Sequence, residues 1–109
     1  LQYDFAKETD NQKYVLSALY SKGRICYLRK QKEEALSYYK KALTKAESVD
    51  DKKMIANVLG DMGATYSEMF EYNKALYFLG KSLKLQKIAG SKDGVAKSLG
   101  NIGVIRGWQ

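Results

Sequence analysis

The sequence predicts an all-α fold, an α–α solenoid of antiparallel helix pairs with about six helices once partial repeats at both ends are counted. Three observations carry that reading. The stretch Leu59-Gly60-Asp61-Met62-Gly63 recurs 40 residues later as Leu99-Gly100-Asn101-Ile102-Gly103, and a worn copy lies 40 residues earlier as Leu19-Tyr20-Ser21-Lys22-Gly23. A fixed period of this size marks stacked supersecondary units, none of which buries its apolar face alone. Proline is absent, and no run rich in Val, Ile or Thr reads as a strand, so long helices are free to form. Between short polar turns, apolar residues keep the three- and four-residue spacing of helices with one buried face.

Length and composition agree with this. The 109 residues allow one compact array with a modest core. A hydrophobic share of 45% is that of a folded chain, not a disordered one. No stretch approaches the ~18 apolar residues of a membrane span, and no signal peptide is visible, so a cytoplasmic setting is the expectation. Position 1 is Leu, not Met, and the chain reads as a segment of a longer protein.

The elements follow in order. Residues 1 to about 9 read as the end of a helix with Leu1, Phe5 and Ala6 on one side. The polar stretch Asp10-Asn11-Gln12-Lys13 is expected to break it. Its counterparts one and two periods on are Asp50-Asp51-Lys52-Lys53 and Gly90-Ser91-Lys92-Asp93, turn-and-cap segments whose side chains accept from the free N–H groups of the next helix. A helix from about Gln12 to Arg29 carries Val15, Leu16, Leu19, Ile25 and Cys26. After a turn at Lys30-Gln31, a second from about Lys32 to Ser48 carries Ala35, Leu36, Tyr39, Ala42, Leu43 and Ala46 on one stripe.

The pair then repeats. A helix from about Asp51 to Met69 carries Ile55, Val58, Leu59, Met62 and Tyr66. Its partner, from about Tyr72 to Ala89, carries Ala75, Leu76, Leu79, Ser82, Leu83 and Gln86 and ends at Gly90, a residue suited to a left-handed helix end. A last helix opens near Asp93, includes Val95, Ala96, Leu99, Ile102 and Gly103, and reaches Trp108-Gln109 without a partner. The array therefore divides into residues 1–10 as the tail of a preceding unit, 12–50 and 51–90 as two full repeats, and 93–109 as the first helix of a third.

Superposing residues 15–54 on 55–94 pairs Leu19 with Leu59, Gly23 with Gly63, Ala35 with Ala75, Leu36 with Leu76 and Leu43 with Leu83. A glycine inside a helix costs ~1 kcal/mol against alanine. Gly23, Gly63 and Gly103 are therefore read as points of close helix–helix approach. Ala35 and Ala75 are read as the small residues that let the second helix cross the first.

This pattern resembles the tetratricopeptide repeat. That family places a large residue, then Leu-Gly, then Tyr in its first helix, and Ala, an aromatic and Ala in its second. The second repeat here offers Leu59, Met62-Gly63, Tyr66, Ala75, Leu79 and Ser82; the first offers Leu19, Lys22-Gly23, Cys26, Ala35, Tyr39 and Ala42; the third has Leu99, Ile102-Gly103 and Arg106 where Tyr is expected. The usual unit is shorter, about 34 residues, with a proline near its end. A 40-residue unit without proline looks like the longer Leu-Gly-Asn subclass of cell-polarity adaptors and bacterial signalling proteins, which Leu99-Gly100-Asn101 matches outright.

The resemblance implies a right-handed superhelix that binds a protein or peptide along an inner wall made of first helices. The function it implies is an adaptor or scaffold, with the sensor or regulatory segment of a larger bacterial signalling protein as the alternative. Carried over position by position, the wall contains Asn57, Asp61 and Asn101 as preferred contacts. Arg24 and Lys97 would read an acidic ligand, and Tyr27 and Ser67 stand at one further wall position. An Asn side chain donates and accepts at once and can pair with a peptide backbone. Gly60 and Gly100 are read as packing positions or as leaving the groove open. The carboxylate clamp of chaperone-binding members lacks a full set here. Cys26 stands where the family buries a tyrosine, and is read as an inert core thiol.

Other functions are weak by comparison. The single cysteine excludes an intramolecular disulfide, and the absence of histidine removes the usual general base and commonest metal ligand. No catalytic residue, metal site or cofactor is expected. Glu33-Glu34 and Asp50-Asp51 lie at helix starts and turns, where they complement the helix dipole. The net charge of +7, from 19 basic and 12 acidic residues, raises nucleic acid as a partner. Its lysines are scattered rather than run together, as on a solvated surface, and nucleic-acid binding is not expected. Tyr38, Tyr39, Tyr77 and Phe78 are read as packing or shielding residues, not as a base-stacking platform. The final helix leaves Val95, Leu99, Ile102 and Trp108 uncovered, so self-association through that end is expected.

Overall fold

A computed structural model describes the backbone of residues 2–108 and the side chains of residues 11–107. Five helices follow one another: α1 (Gln2–Leu28), α2 (Lys32–Ser48), α3 (Lys52–Glu68), α4 (Tyr72–Ala89) and α5 (Lys92–Trp108). Among the described residues there is no strand. The chain forms two compact units, Leu1–Asp51 and Lys52–Gln109. In the first, α2 packs on α1; in the second, α4 packs on α3 and α5 on α4.

One device ends each of the first four helices. Lys30, Asp50, Phe70 and Gly90 all adopt the left-handed conformation, with φ of 66°, 54°, 64° and 72°. Around each, two backbone bonds cross. The N–H of Gln31 donates to the Cys26 carbonyl at 2.9 Å while that of Lys30 donates to Tyr27 at 3.1 Å. Asp51 with Ala46, Glu71 with Tyr66 and Ser91 with Gln86 repeat the longer bond at 3.0 Å. This Schellman arrangement gives the last carbonyls of the helix their partners. The start of α5 is capped as expected, Ser91 Oγ accepting from the Gly94 N–H at 3.2 Å.

Residues 10–13 do not interrupt the helix: α1 runs unbroken, giving five helices instead of about six. Asp, Asn, Gln and Lys are only mildly unfavourable inside a helix, and no residue there takes a left-handed conformation. The side chains of Leu1, Phe5, Ala6 and Trp108 lie outside the described residues. The expected face of α1 also needs correction. Leu16 is its buried residue and Leu19 is half-buried, whereas Val15 and Ile25 are exposed. At about 100° per residue, Ile25 stands opposite Leu16 on the helix.

The helices meet where the small residues are. A Cβ on Gly23 would come within 2.6 Å of the Tyr39 ring, and one on Gly63 within 2.6 Å of Leu79 Cγ and 3.1 Å of the Leu79 backbone N. Ala35 and Ala75 are fully buried. Around the Gly63 crossing, Val58, Leu59, Met62, Tyr66 and Leu79 close the core of the second unit. Two of its buried hydroxyls find carbonyl partners: Ser82 Oγ donates to the Ala56 carbonyl at 2.8 Å, and Thr65 Oγ1 to the Asp61 carbonyl at 2.8 Å. Tyr66 stacks on Phe78 with ring centres 5.4 Å apart, and Tyr39 is buried beside Tyr20. Tyr77 stays exposed, with Lys81 over its ring.

Three sequence positions behave differently from their repeats. Gly103, unlike Gly63, has open space where a Cβ would stand. Leu99 is 50% exposed where Leu59 is 3%. α5 is instead buried at Ser98 and Ile105, the counterparts of Val58 and Thr65. Cys26 is half-buried, not in the core; a thiol is shorter than the tyrosine ring that fills the same position at Tyr66.

Candidate functional site

Within the second unit, α3 and α5 come into contact as the two first-type helices. Asn57 on α3 and Lys97 on α5, one period apart and so in the same repeat position, line one cleft of ≈ 570 Å³. The cleft is formed by the N-terminal parts of α3 and α5 and the C-terminal part of α4. One helical turn on from each, and so on the same helix face, stand Asp61 and Asn101, both half-buried. Two polar pairs thus follow one another along α3 and α5. Asn57 and Asp61 lead on one helix; Lys97 and Asn101 answer on the other.

Arg24 and Tyr27 belong to the first unit. Arg24 is exposed and holds its guanidinium 5.9 Å from the centre of the Tyr20 ring, and Tyr27 is half-buried. Ser67 is half-buried near the end of α3. Gly60 lies under Ser82, whose Oγ would be 3.2 Å from an added Cβ, while Gly100 is exposed with open space around it.

The cleft has a feature that the periodicity of the wall positions does not announce. Buried Ala56 and half-buried Leu85 contribute to its lining, with exposed Ile88 and Ala89 from the last turns of α4. Lys52, Lys53 and Lys97 also line it, with a single acid, Asp93. Sequence reasoning assigned Lys52-Lys53 to a cap segment and overlooked Ile88. The available signal was an isoleucine out of phase with the Ala75, Leu79, Ser82 and Gln86 stripe. The Gln86 side chain lies on Gly94, where an added Cβ would overlap its amide, so the glycine leaves the amide room beside α5.

Among the described residues, no three His, Cys, Asp or Glu side chains gather where a metal ion could sit. No helix there is long and apolar enough to cross a membrane. Helices joined by short turns, four of them 17 or 18 residues long, and repeated at a fixed interval define a helical-repeat protein. The sequence profile of the tetratricopeptide repeat matches residues 14–88, and the chain belongs to that family. Its members are in general protein–protein interaction modules. No curated protein matches the sequence.

Proposed function

We propose that this chain is an adaptor module that receives a protein or peptide segment along α3 and α5. The observation that supports the reading is the repeated polar pair: Asn57 and Lys97 line an open cleft, and Asp61 and Asn101 follow one helical turn on from each. The amides of Asn57 and Asn101 can each donate to and accept from an extended backbone, which makes affinity independent of the ligand's side chains. Asp61 and Lys97 add opposite charges that would fix the direction in which a segment lies.

The test is a peptide selected from a displayed random library on the wild-type protein, then titrated against Asn57→Ala, Asp61→Ala and Asn101→Ala combined. Losing three polar contacts of about 1 kcal/mol each should weaken binding by a factor on the order of 100. Unchanged affinity in the triple variant would remove these residues from the binding surface.

A further inference from the structure

We infer that the cleft between α3, α4 and α5 is an anchor pocket for an acidic segment of a partner protein, one apolar side chain seated in the cleft and carboxylates beside it held by Lys52, Lys53 and Lys97. This deepens the adaptor reading and rests on it.

Apolar burial comes first. Ala56 from α3 and Leu85, Ile88 and Ala89 from the end of α4 give the cleft its apolar lining, and Ile88 keeps 75% of its surface in water. An isoleucine so placed gains from being covered by another apolar side chain. The cleft volume of ≈ 570 Å³ falls in the range of about 300–1,000 Å³ typical of ligand pockets. It exceeds what one leucine or phenylalanine side chain fills, leaving room for the backbone that carries it.

Charge then selects the ligand. Three lysines, Lys52, Lys53 and Lys97, line the cleft together with one acid, Asp93. None of the three lysines forms an ion pair with another described residue. Each is exposed, so their role is to steer and to discriminate by sign more than to bind tightly. Asn57 and Gln86 border the same space and carry amides able to meet a main chain. An apolar core, amide groups and a basic rim together fit a short acidic peptide with an apolar anchor. A lipid headgroup would use the lysines but has no need of the amides.

The experiment separates this pocket from Asp61 and Asn101, one helical turn farther along. Random peptides displayed on phage are selected on the wild-type chain, and enriched sequences are synthesised, labelled and titrated by fluorescence anisotropy. Enrichment of Asp or Glu flanking an apolar residue is expected. Lys52→Glu with Lys53→Glu should then weaken binding about tenfold or more, as should Ile88→Ser. The lysine reversal places acids in the first turn of α3, where they complement the helix dipole, and folding should not suffer. Raising ionic strength should weaken the wild type and leave the reversed variant little changed.

Peptides without acids, or peptides that survive the lysine reversal and lose affinity with Asp61→Ala and Asn101→Ala, would overturn the pocket assignment and leave the adaptor reading standing. No enrichment at all would overturn both. If phosphatidylserine vesicles bind the chain through Lys52 and Lys53 while no acidic peptide does, the basic rim serves a membrane surface and the inference fails.

Discussion

Gly63 and Gly103 occupy the same position in successive repeats and ask for opposite treatment. In the first, a Cβ would press on Leu79 Cγ and approach the Leu79 backbone N, neither of which is the free end of a flexible chain. Overpacking of this kind costs about 1–3 kcal/mol, against which alanine recovers ~1 kcal/mol of helix propensity. Gly63→Ala should therefore be destabilising by about 1 kcal/mol net. Gly103→Ala meets nothing within 4 Å and should stabilise by up to ~1 kcal/mol. Urea unfolding of the two variants beside the wild type is the check, with midpoints moving in opposite directions. Movement the same way would mean that Gly63 is not a close-approach residue. Sequence reasoning read both glycines alike, because the spacing records a position in the repeat and says nothing of whether a second helix lies across it. The same blindness applies to Leu59 and Leu99. At Asn57 and Lys97 the spacing sufficed, since a shared cleft needs only that both helices start in register. Lys52, Lys53 and Ile88 were not legible as a site. The pocket they border is made by the end of α4 arriving between two other helices, a tertiary fact with no periodic trace.

At the scale of the helix, the recurring left-handed residue is a punctuation mark set at even intervals, at Lys30, Asp50, Phe70 and Gly90. Only the last is glycine. A side chain in this conformation costs roughly 1–2 kcal/mol, least for Asp and Asn, and part of what glycine would recover is offset by the freedom it adds to the unfolded chain. Lys30→Gly should thus stabilise the first unit by about 0.5–1 kcal/mol, Asp50→Gly by less, and Gly90→Ala should weaken the second by about 1 kcal/mol. Thermal unfolding followed by circular dichroism measures all three. A destabilised Lys30→Gly would show that the Lys30 side chain itself holds the helix end. The helix boundaries were readable from this logic: the turn at Lys30-Gln31, the span from Lys32 to Ser48 and the stop at Gly90 are where the sequence pattern places them. The failed break at residues 10–13 shows what the pattern lacks. Polar composition permits a turn, but crossed hydrogen bonds around a left-handed residue make one, and α1 has none there.

At the scale of the molecule, the second unit carries the same first-type helix twice, closed to different degrees. α3 packs with Leu59 and Met62 almost wholly buried. α5 repeats its sequence but keeps Leu99 and Val104 each half exposed, with open space above Gly100 and Gly103. Leu99 with Gly103, one turn apart on one side of α5, is a strip on which another helix can pack, as α4 does on α3 at Gly63, and its proposed occupant in a solution of this chain is the α5 of a second copy. A two-fold pairing would bring each Leu99 against the partner's strip and close the contact without forming filaments. Leu99→Glu with Val104→Glu places one carboxylate on that strip and one beside it without entering the core, since both positions already face water. Sedimentation velocity at protein concentrations on the order of tens of micromolar should show the wild type heavier than a monomer and the double variant monomeric, because dimer formation follows mass action. Circular dichroism should show equal helix content in both. A wild type that sediments as a single monomeric species would mean that the α5 strip does not drive association. Leu59→Glu provides the contrast within the same repeat position: burying a charge beside Met62 and Leu79 should unfold the second unit outright.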